Sequence, residues 1–156
     1  MIVSASPLAI PDSLQLDLRA TTAVEAVREL HAGLAHSLAI KDHSILLRDL
    51  LSRLALGSVC LSGEIALPHT RTPAVNGFVF AIGRSSQGIA FDPEHPRIRL
   101  IFVVAVPPSA VTEYLRWVAH LSRTLRNPTL RQALLDAATE EDFRGVWSLG
   151  CERLAS

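Results

Sequence analysis

The chain is poor in lysine and cysteine: Lys41 is its single lysine, and Cys60 and Cys151 are its only two cysteines among 156 residues. Arginine supplies the other basic side chains, and 15 basic residues balance 15 acidic ones to a net charge of zero. A neutral chain without a basic stripe binds phosphate backbones weakly, so nucleic-acid binding is not the expected function. Two cysteines are too few for a disulfide scaffold, and they lack the spacing of a zinc site. We therefore expect small buried or terminal thiols.

Long hydrophobic runs are also missing, since no apolar stretch reaches the roughly 18 residues that span a bilayer. The longest run, 100–107, has the length of a buried strand. The start of the chain, "MIVSASPLAIPDS", has no basic residue and so does not resemble a signal peptide. We therefore expect a cytoplasmic protein with a lead-in over residues 1–12 and one domain over 13–151.

The first third of the sequence predicts a strand and two helices. Residues 14–18, "LQLDL", alternate apolar and polar side chains, which is typical of a half-buried strand. Thr22 and Glu25 form a capping-box pattern that starts a helix, and we expect this helix to continue through Gly33 to residue 39. Its predicted apolar face is Val24, Val27, Leu30, Leu34 and Leu38. A second helix is predicted between an N-cap at Asp42 and a stop at Gly57.

The middle of the sequence predicts strands. Two short strands surround a turn at Gly63, and the second ends at Pro68. A turn at 76–77 precedes another strand over 78–83, and "GRSSQG", residues 83–88, is expected to be a turn, with an anion cradle as the alternative. Residues 97–107, "RIRLIFVVAVP", become continuously apolar, which favours a central strand buried on both faces.

The last third of the sequence predicts helices. One carries apolar residues at helical spacing, namely Val111, Leu115, Val118, Leu121 and Leu125. A further helix begins at Pro128, and a short last one begins at the acidic run 140–142. Helices, then strands, then helices indicate an α/β fold, with a single layered domain and a mixed β-sheet flanked by helices.

Histidine is the residue type most able to carry chemistry in this chain. The six histidines are His31, His36, His43, His69, His95 and His120. None forms an i, i+4 zinc pair, so no metal site is predicted, and His95 is expected in a turn. His69 differs because it directly follows Pro68 at the end of an apolar run, where α/β proteins often hold reactive groups. The proline restricts the backbone before the imidazole. The alternative interpretation is a loop histidine without a function.

The segment 53–83 resembles the fructose/mannitol-type enzyme IIA domains of the bacterial sugar phosphotransferase system, which include the nitrogen-regulatory IIA proteins. Their typical pattern is an arginine, a Gly-Ser pair, a glycine-bearing turn and a Gly-Ile-Ala-Ile-Pro-His core. The matching residues are Arg53, Gly57, Ser58, Gly63, Ile65, Ala66, Leu67, Pro68 and His69. Downstream, "LIFVVAVP" and the helix after it are similar to the same family, so the resemblance covers roughly residues 13–149.

This resemblance implies a phosphocarrier with the enzyme IIA fructose/mannitol-type fold. His69 would accept a phosphoryl group from a histidine-phosphorylated, HPr-like carrier protein and pass it to a IIB partner or use it as a regulatory signal. Arg53 would stabilise the charge of the phosphoryl group. Thr70 and Arg71 could contribute further contacts to its oxygens. No cofactor is implied, because the phosphoryl group arrives on a protein.

Three positions depart from the family pattern. Leu54 replaces the acid after the arginine, Val59 replaces a threonine, and Tyr114 replaces the second active-site histidine. The Tyr114 hydroxyl could still support the site by donating to a phosphate oxygen or to the imidazole. His120 lies six residues after that tyrosine and would point elsewhere on a helix. A nucleophile without its usual supporting residues favours a regulatory protein of the nitrogen-regulatory type. The alternative is a divergent IIA-fold module that docks a partner protein without phosphoryl turnover.

Overall fold

The computed structural model describes residues 10–155, and their side chains as far as residue 151. Packing divides them into two compact units, one of residues 11–111 and one of residue 10 with 112–155. The strands and helices of the first unit are β1 (Ser13–Gln15), α1 (Ala23–Ala32), α2 (His43–Ala55), β2 (Ile65–Ala66), β3 (His69–Arg71), β4 (Val79–Ile89) and β5 (Ile98–Val106). A 3-10 turn, Pro108–Ala110, then leads into α3 (Val111–Arg126), α4 (Pro128–Asp136) and α5 (Glu140–Ala155).

The five strands form a mixed sheet in the order β1-β4-β5-β2, and β3 also pairs with β5. β1 is parallel to β4, β4 is antiparallel to β5, and both β2 and β3 are parallel to β5. Every residue of β5 is buried except the half-buried Arg99, as expected for a continuously apolar strand at the centre of a sheet. The predicted mixed sheet and central strand are therefore confirmed.

Helices α1 and α2 pack against each other and against the sheet, α1 on β4 and β5 and α2 on β3. Both predicted N-caps are confirmed. Thr22 and Glu25 form a complete capping box, and the Asp42 side chain accepts a hydrogen bond from the Ile45 N–H. Alternate residues of β4 and β5 join the helices in one apolar core, including Val79, Ala81, Ile101, Val103 and Ala105.

The prediction that α1 continues through Gly33 is wrong. The helix ends at Ala32 with Gly33 as its C-cap, and Leu38, predicted on the buried face, is 96% exposed. Gly33 lies so close to the Gln15 and Ser13 side chains of β1 that a Cβ atom there would clash with both. The approach of β1 therefore coincides with the end of the helix. Val24 is also exposed, so the buried face consists of Ala26, Val27 and Leu30.

The segment "GRSSQG" is neither a turn nor an anion cradle, because β4 runs through it. The β4–β5 pairing is regular as far as Arg84, shifts register, and resumes where Ile89 pairs with Ile98. Gly88 has a φ of +86°, a left-handed conformation that glycine adopts without steric cost. A left-handed glycine and a shift of register are the features of a β-bulge, at which a strand bends without ending. The sequence pattern had instead predicted that the strand ends at Gly83.

Residues 10–12 of the predicted lead-in are already part of the fold, and residues 1–9 lie outside the described part of the chain. The Asp12 N–H donates to the Phe80 carbonyl at 2.8 Å, and the Phe80 N–H donates to the Asp12 carboxylate at 2.9 Å. These two bonds attach the chain to β4 one residue before β1 begins.

The second unit consists of the predicted helices with different details. Leu115, predicted on the apolar face of α3, is exposed, whereas Trp117, Leu121, Thr124 and Leu125 are buried. Asn127 caps α4, which begins at Pro128 as predicted. The last helix is longer than predicted because it continues through Gly145 and Gly150, and Gly150 lies against Leu130 of α4. No helix in the described part of the chain is long and apolar enough to cross a bilayer.

Gly88→Ala is expected to destabilise the protein by about 1–3 kcal/mol, because alanine at positive φ is strained and its Cβ would press on the Arg97 side chain. The matched control is Gly77→Ala, where no atom lies within 4 Å of the added carbon. Urea unfolding of both variants measures the difference. Equal free energies of unfolding for the two variants would contradict the bend at Gly88.

Candidate functional site

His69 follows the end of β2 by three residues, close to the predicted place just past a strand, and it is also the first residue of a further short strand, β3, that the sequence did not indicate. β2 and β3 run along the same side of β5 and are separated only by residues 67 and 68. The Val104 N–H donates to the Pro68 carbonyl at 2.9 Å, and His69 itself pairs with Val104. The two short strands therefore form one edge of the sheet with an interruption immediately before the histidine.

The Leu67 carbonyl lies beside the imidazole. His69 Nδ1 lies 2.8 Å from the Leu67 oxygen, and the Leu67 N–H donates to the Val59 carbonyl at 2.7 Å. A carbonyl oxygen can only accept a hydrogen bond, so Nδ1 of His69 carries a proton. In the neutral ring the lone pair is then on Nε2, which makes Nε2 the nucleophilic atom.

The surroundings of His69 favour the neutral ring. Partial burial lowers the pKa of His69 below its ordinary value of 6.5, and the positive charge of Arg53 lowers it further. The hydrogen bond to Leu67 acts in the opposite direction. Arg53 is half-buried in the last turn of α2, so the structure brings the two residues predicted to carry the chemistry within electrostatic range of each other.

A hydrogen bond between helix and strand positions Arg53. The Thr72 hydroxyl donates to the Asp49 carboxylate at 2.7 Å and accepts from the Ala74 N–H, and the Thr72 N–H donates to the Val106 carbonyl. Thr72 is fully buried. Asp49 lies one turn before Arg53 on the same face of α2, so the bond fixes this face next to β3. The sequence analysis did not predict the Asp49–Thr72 bond. Its one indication was an aspartate four residues before Arg53 in a leucine-rich helix, on the face that carries the arginine.

The remaining predicted site residues lie in two places. Thr70 is half-buried and Arg71 is exposed. Because side chains alternate along a strand, Arg71 is on the same face of β3 as His69, and Thr70 is on the opposite face. Tyr114 is half-buried in α3, in the other compact unit. The supporting roles of these three residues stay predictions.

Two other histidines have partners that explain them structurally. His31 Nε2 lies 3.0 Å from the His43 carbonyl, and burial lowers the pKa of His31. His95 Nδ1 lies 2.8 Å from the Asp92 carboxylate in the connection between β4 and β5, so His95 is in a turn as expected. Cys60 lies beside this Asp–His pair, which makes these three side chains the one group of potential metal ligands in the described part of the chain.

Comparison with known proteins identifies a family. The family model described as phosphoenolpyruvate-dependent sugar phosphotransferase system, EIIA 2, matches residues 9–146. A relative, the PTS system fructose-specific EIIA component of Haloferax volcanii, is 30% identical over 108 residues, which cover 69% of this chain and 70% of the relative.

Solved structures share the fold. Nitrogen regulatory protein IIA-Ntr from Neisseria meningitidis superposes with a TM-score of 0.78 at 24% identity, covering 93% of this chain and 97% of its own. Escherichia coli enzyme IIA mannitol, solved in complex with phosphorylated enzyme IIB mannitol, superposes with a TM-score of 0.75 at 18% identity, covering 88% of this chain and 94% of its own. The predicted fold class is confirmed.

Thr72→Val should destabilise the protein by about 1–3 kcal/mol, because it removes a buried hydroxyl that is bonded to both Asp49 and Ala74. Thr112→Val, at an exposed position of α3, is the matched control. Urea unfolding measures both free energies. A loss below about 0.5 kcal/mol in Thr72→Val, the level of an ordinary surface change, would contradict the anchoring role.

The His69 ring should titrate below pH 6.5, and Arg53→Gln should raise its pKa because a nearby positive charge is removed. Ring-proton chemical shifts followed by NMR from pH 4 to 8 measure this, with the His69→Gln spectrum assigning the resonance. Arg48→Gln, an exposed arginine of the same helix, is the control. An unchanged pKa in Arg53→Gln would show that Arg53 does not face the imidazole.

Proposed function

Since the chain belongs to the EIIA 2 family of the phosphoenolpyruvate-dependent sugar phosphotransferase system, we propose that it is a phosphocarrier whose His69 accepts a phosphoryl group at Nε2. The observation that carries this proposal is the bond between His69 Nδ1 and the Leu67 carbonyl. It holds the proton on Nδ1 and so leaves the lone pair of the neutral ring on Nε2. The charge of Arg53 acts on the same ring.

The proposed step is a transfer between two imidazoles. The Nε2 lone pair attacks the phosphorus of a phosphohistidine on the carrier protein. A P–N bond forms at Nε2, the P–N bond of the donor breaks, and its electron pair returns to the donor nitrogen. Positive charge develops on the His69 ring as Nε2 shares its lone pair. The Nδ1–H bond to Leu67 strengthens with that charge and stabilises the product.

Arg53 is proposed to act on both partners of the reaction. Before transfer, burial of the ring and, to a smaller extent, the charge of Arg53 lower the pKa of His69 and so disfavour a protonated, non-nucleophilic imidazole. During transfer, its guanidinium stabilises the negative charge on the equatorial phosphoryl oxygens. Arg71, on the same face of β3 as His69, is proposed as a second and weaker contact because its side chain is exposed.

The proposed partners are proteins. The donor is a histidine-phosphorylated carrier, and the acceptor is a IIB component or a regulatory target. Escherichia coli enzyme IIA mannitol has the same fold as this chain and was solved in complex with phosphorylated enzyme IIB mannitol. That complex supports a IIB-type acceptor. Tyr114 at the position of the second histidine favours the nitrogen-regulatory type. The cytoplasmic location stays a prediction.

Incubating the protein with phosphoenolpyruvate and the phosphotransferase carrier proteins should add one phosphoryl group, detected by intact mass. His69→Ala should abolish the addition. Arg53→Gln should slow it by about 100-fold or more, since it removes a group that stabilises charge in the transition state. His120→Ala, which removes a histidine in α3, is the control and should be labelled at the wild-type rate. Tyr114→Phe in the same assay measures the contribution of the tyrosine hydroxyl.

Failure of the wild-type protein to gain mass with any carrier would contradict phosphoryl transfer. The alternative function, a module that docks a partner without turnover, predicts that failure together with retained partner binding. His69→Asp separates the two functions in a pull-down. A phosphorylation-controlled protein should change its partner binding in this variant, whereas a module that works without phosphate should not.

A further inference from the structure

Three side chains with metal-binding atoms, none of them assigned to phosphoryl transfer, converge beside the start of β5. Cys60 lies in the connection between α2 and β2, and Asp92 and His95 lie in the connection between β4 and β5. One sulfur, one carboxylate oxygen and one imidazole nitrogen from these residues all lie within 4.8 Å of one another. All three residues are half-buried, so their donor atoms are sheltered yet accessible.

The backbone holds these donors in place. The Phe91 N–H donates to the His95 carbonyl and the His95 N–H donates to the Asp92 carbonyl, each at 3.0 Å, which closes a tight turn around Asp92. Cys60 forms an isolated bridge with Ala66 of β2. Since β2 and β4 both pair with β5, the two connections are attached to the same central strand.

We propose that Cys60, Asp92 and His95 form a binding site for one Zn²⁺ ion, with a water molecule as the fourth ligand. Thiolate, imidazole and carboxylate are the donor types that zinc takes in proteins. Ca²⁺ and Mg²⁺ prefer sets of oxygen atoms and are poorly matched by a sulfur and a nitrogen.

The distances fit a small rearrangement into a tetrahedral site. Bond lengths of about 2.0–2.3 Å to zinc place neighbouring ligand atoms roughly 3.3–3.8 Å apart. Cys60 Sγ lies 4.0 Å from Asp92 Oδ2, and His95 Nδ1 lies 2.8 Å from Asp92 Oδ1. The sulfur must therefore approach slightly and the imidazole must move slightly away from the carboxylate. Side-chain rotations of this size leave the backbone bridges unchanged.

The charges balance when the ion binds. Cys60 loses its thiol proton to solvent. His95 Nδ1, which donates to the Asp92 carboxylate in the metal-free protein, also gives up its proton to solvent, so that the ring binds through Nδ1 as the neutral tautomer with its proton on Nε2. One thiolate and one carboxylate then neutralise Zn²⁺. Without a cation, burial and the Asp92 charge raise the pKa of the Cys60 thiol, which opposes a reactive thiolate. A bound divalent ion reverses that electrostatic preference.

Titration of the full-length, reduced and chelator-treated protein with Co²⁺ and Zn²⁺ tests the proposal. Co²⁺ should produce a thiolate-to-metal absorption band at one equivalent, and Zn²⁺ should displace it. Cys60→Ser should abolish the band, and Asp92→Asn and His95→Gln should each weaken Zn²⁺ binding by at least about tenfold. Cys151→Ala is the matched control, because it removes the other thiol and should leave the band intact.

Three results would overturn the proposal: no binding by the wild-type protein, a band that persists in Cys60→Ser, or equal Zn²⁺ affinity in wild type and His95→Gln. Circular dichroism of each metal-free variant shows whether it is folded, and Asp92→Asn provides a second test should Cys60→Ser unfold. The absorption readout does not depend on phosphorylation of His69, so failure of the proposed function would not affect it.

Discussion

The hydrogen bond between the Leu67 carbonyl and His69 Nδ1 is the interaction on which the candidate site depends. It determines which ring nitrogen carries the proton, and so which nitrogen can react. Along residues 64–69 the carbonyls of Glu64 and Pro68 accept hydrogen bonds from β5, while the Leu67 carbonyl between them accepts from the imidazole. The Leu67 N–H is itself bonded to the Val59 carbonyl, which fixes the backbone of the residue that supplies the acceptor oxygen.

Strand β5 is the common support for the features that carry function. His69 pairs with Val104, and Thr72, which anchors the helix bearing Arg53, donates to Val106. The opposite half of β5 pairs with β2 and with the last part of β4, and the connections that flank these strands carry the proposed zinc ligands. A buried, continuously apolar strand is suited to this role because its position is specified along its whole length.

Local signals in the sequence predicted local structure, and distant contacts escaped it. Thr22 and Asp42 cap their helices as expected, because capping depends on residues three positions apart. The end of α1 was missed because β1, far away in the sequence, crowds Gly33. His69 was predicted from its place after Pro68 at the end of an apolar run and from the resemblance to a family, and Arg53 from that resemblance alone. The Asp49–Thr72 bond and the group of Cys60, Asp92 and His95 were missed, because each brings together separate segments of the chain.

The interrupted edge also affects how this protein meets its neighbours. In the described part of the chain, no strand pairs with the outer side of β3, and such open borders invite intermolecular β-sheet growth. Here the open border is limited to the three residues of β3, because residues 59–62 are bonded to residues 65–67 at the outer side of β2. Three residues offer too short a run of backbone groups for another chain to extend, so the rim that carries His69 is protected against intermolecular strand pairing.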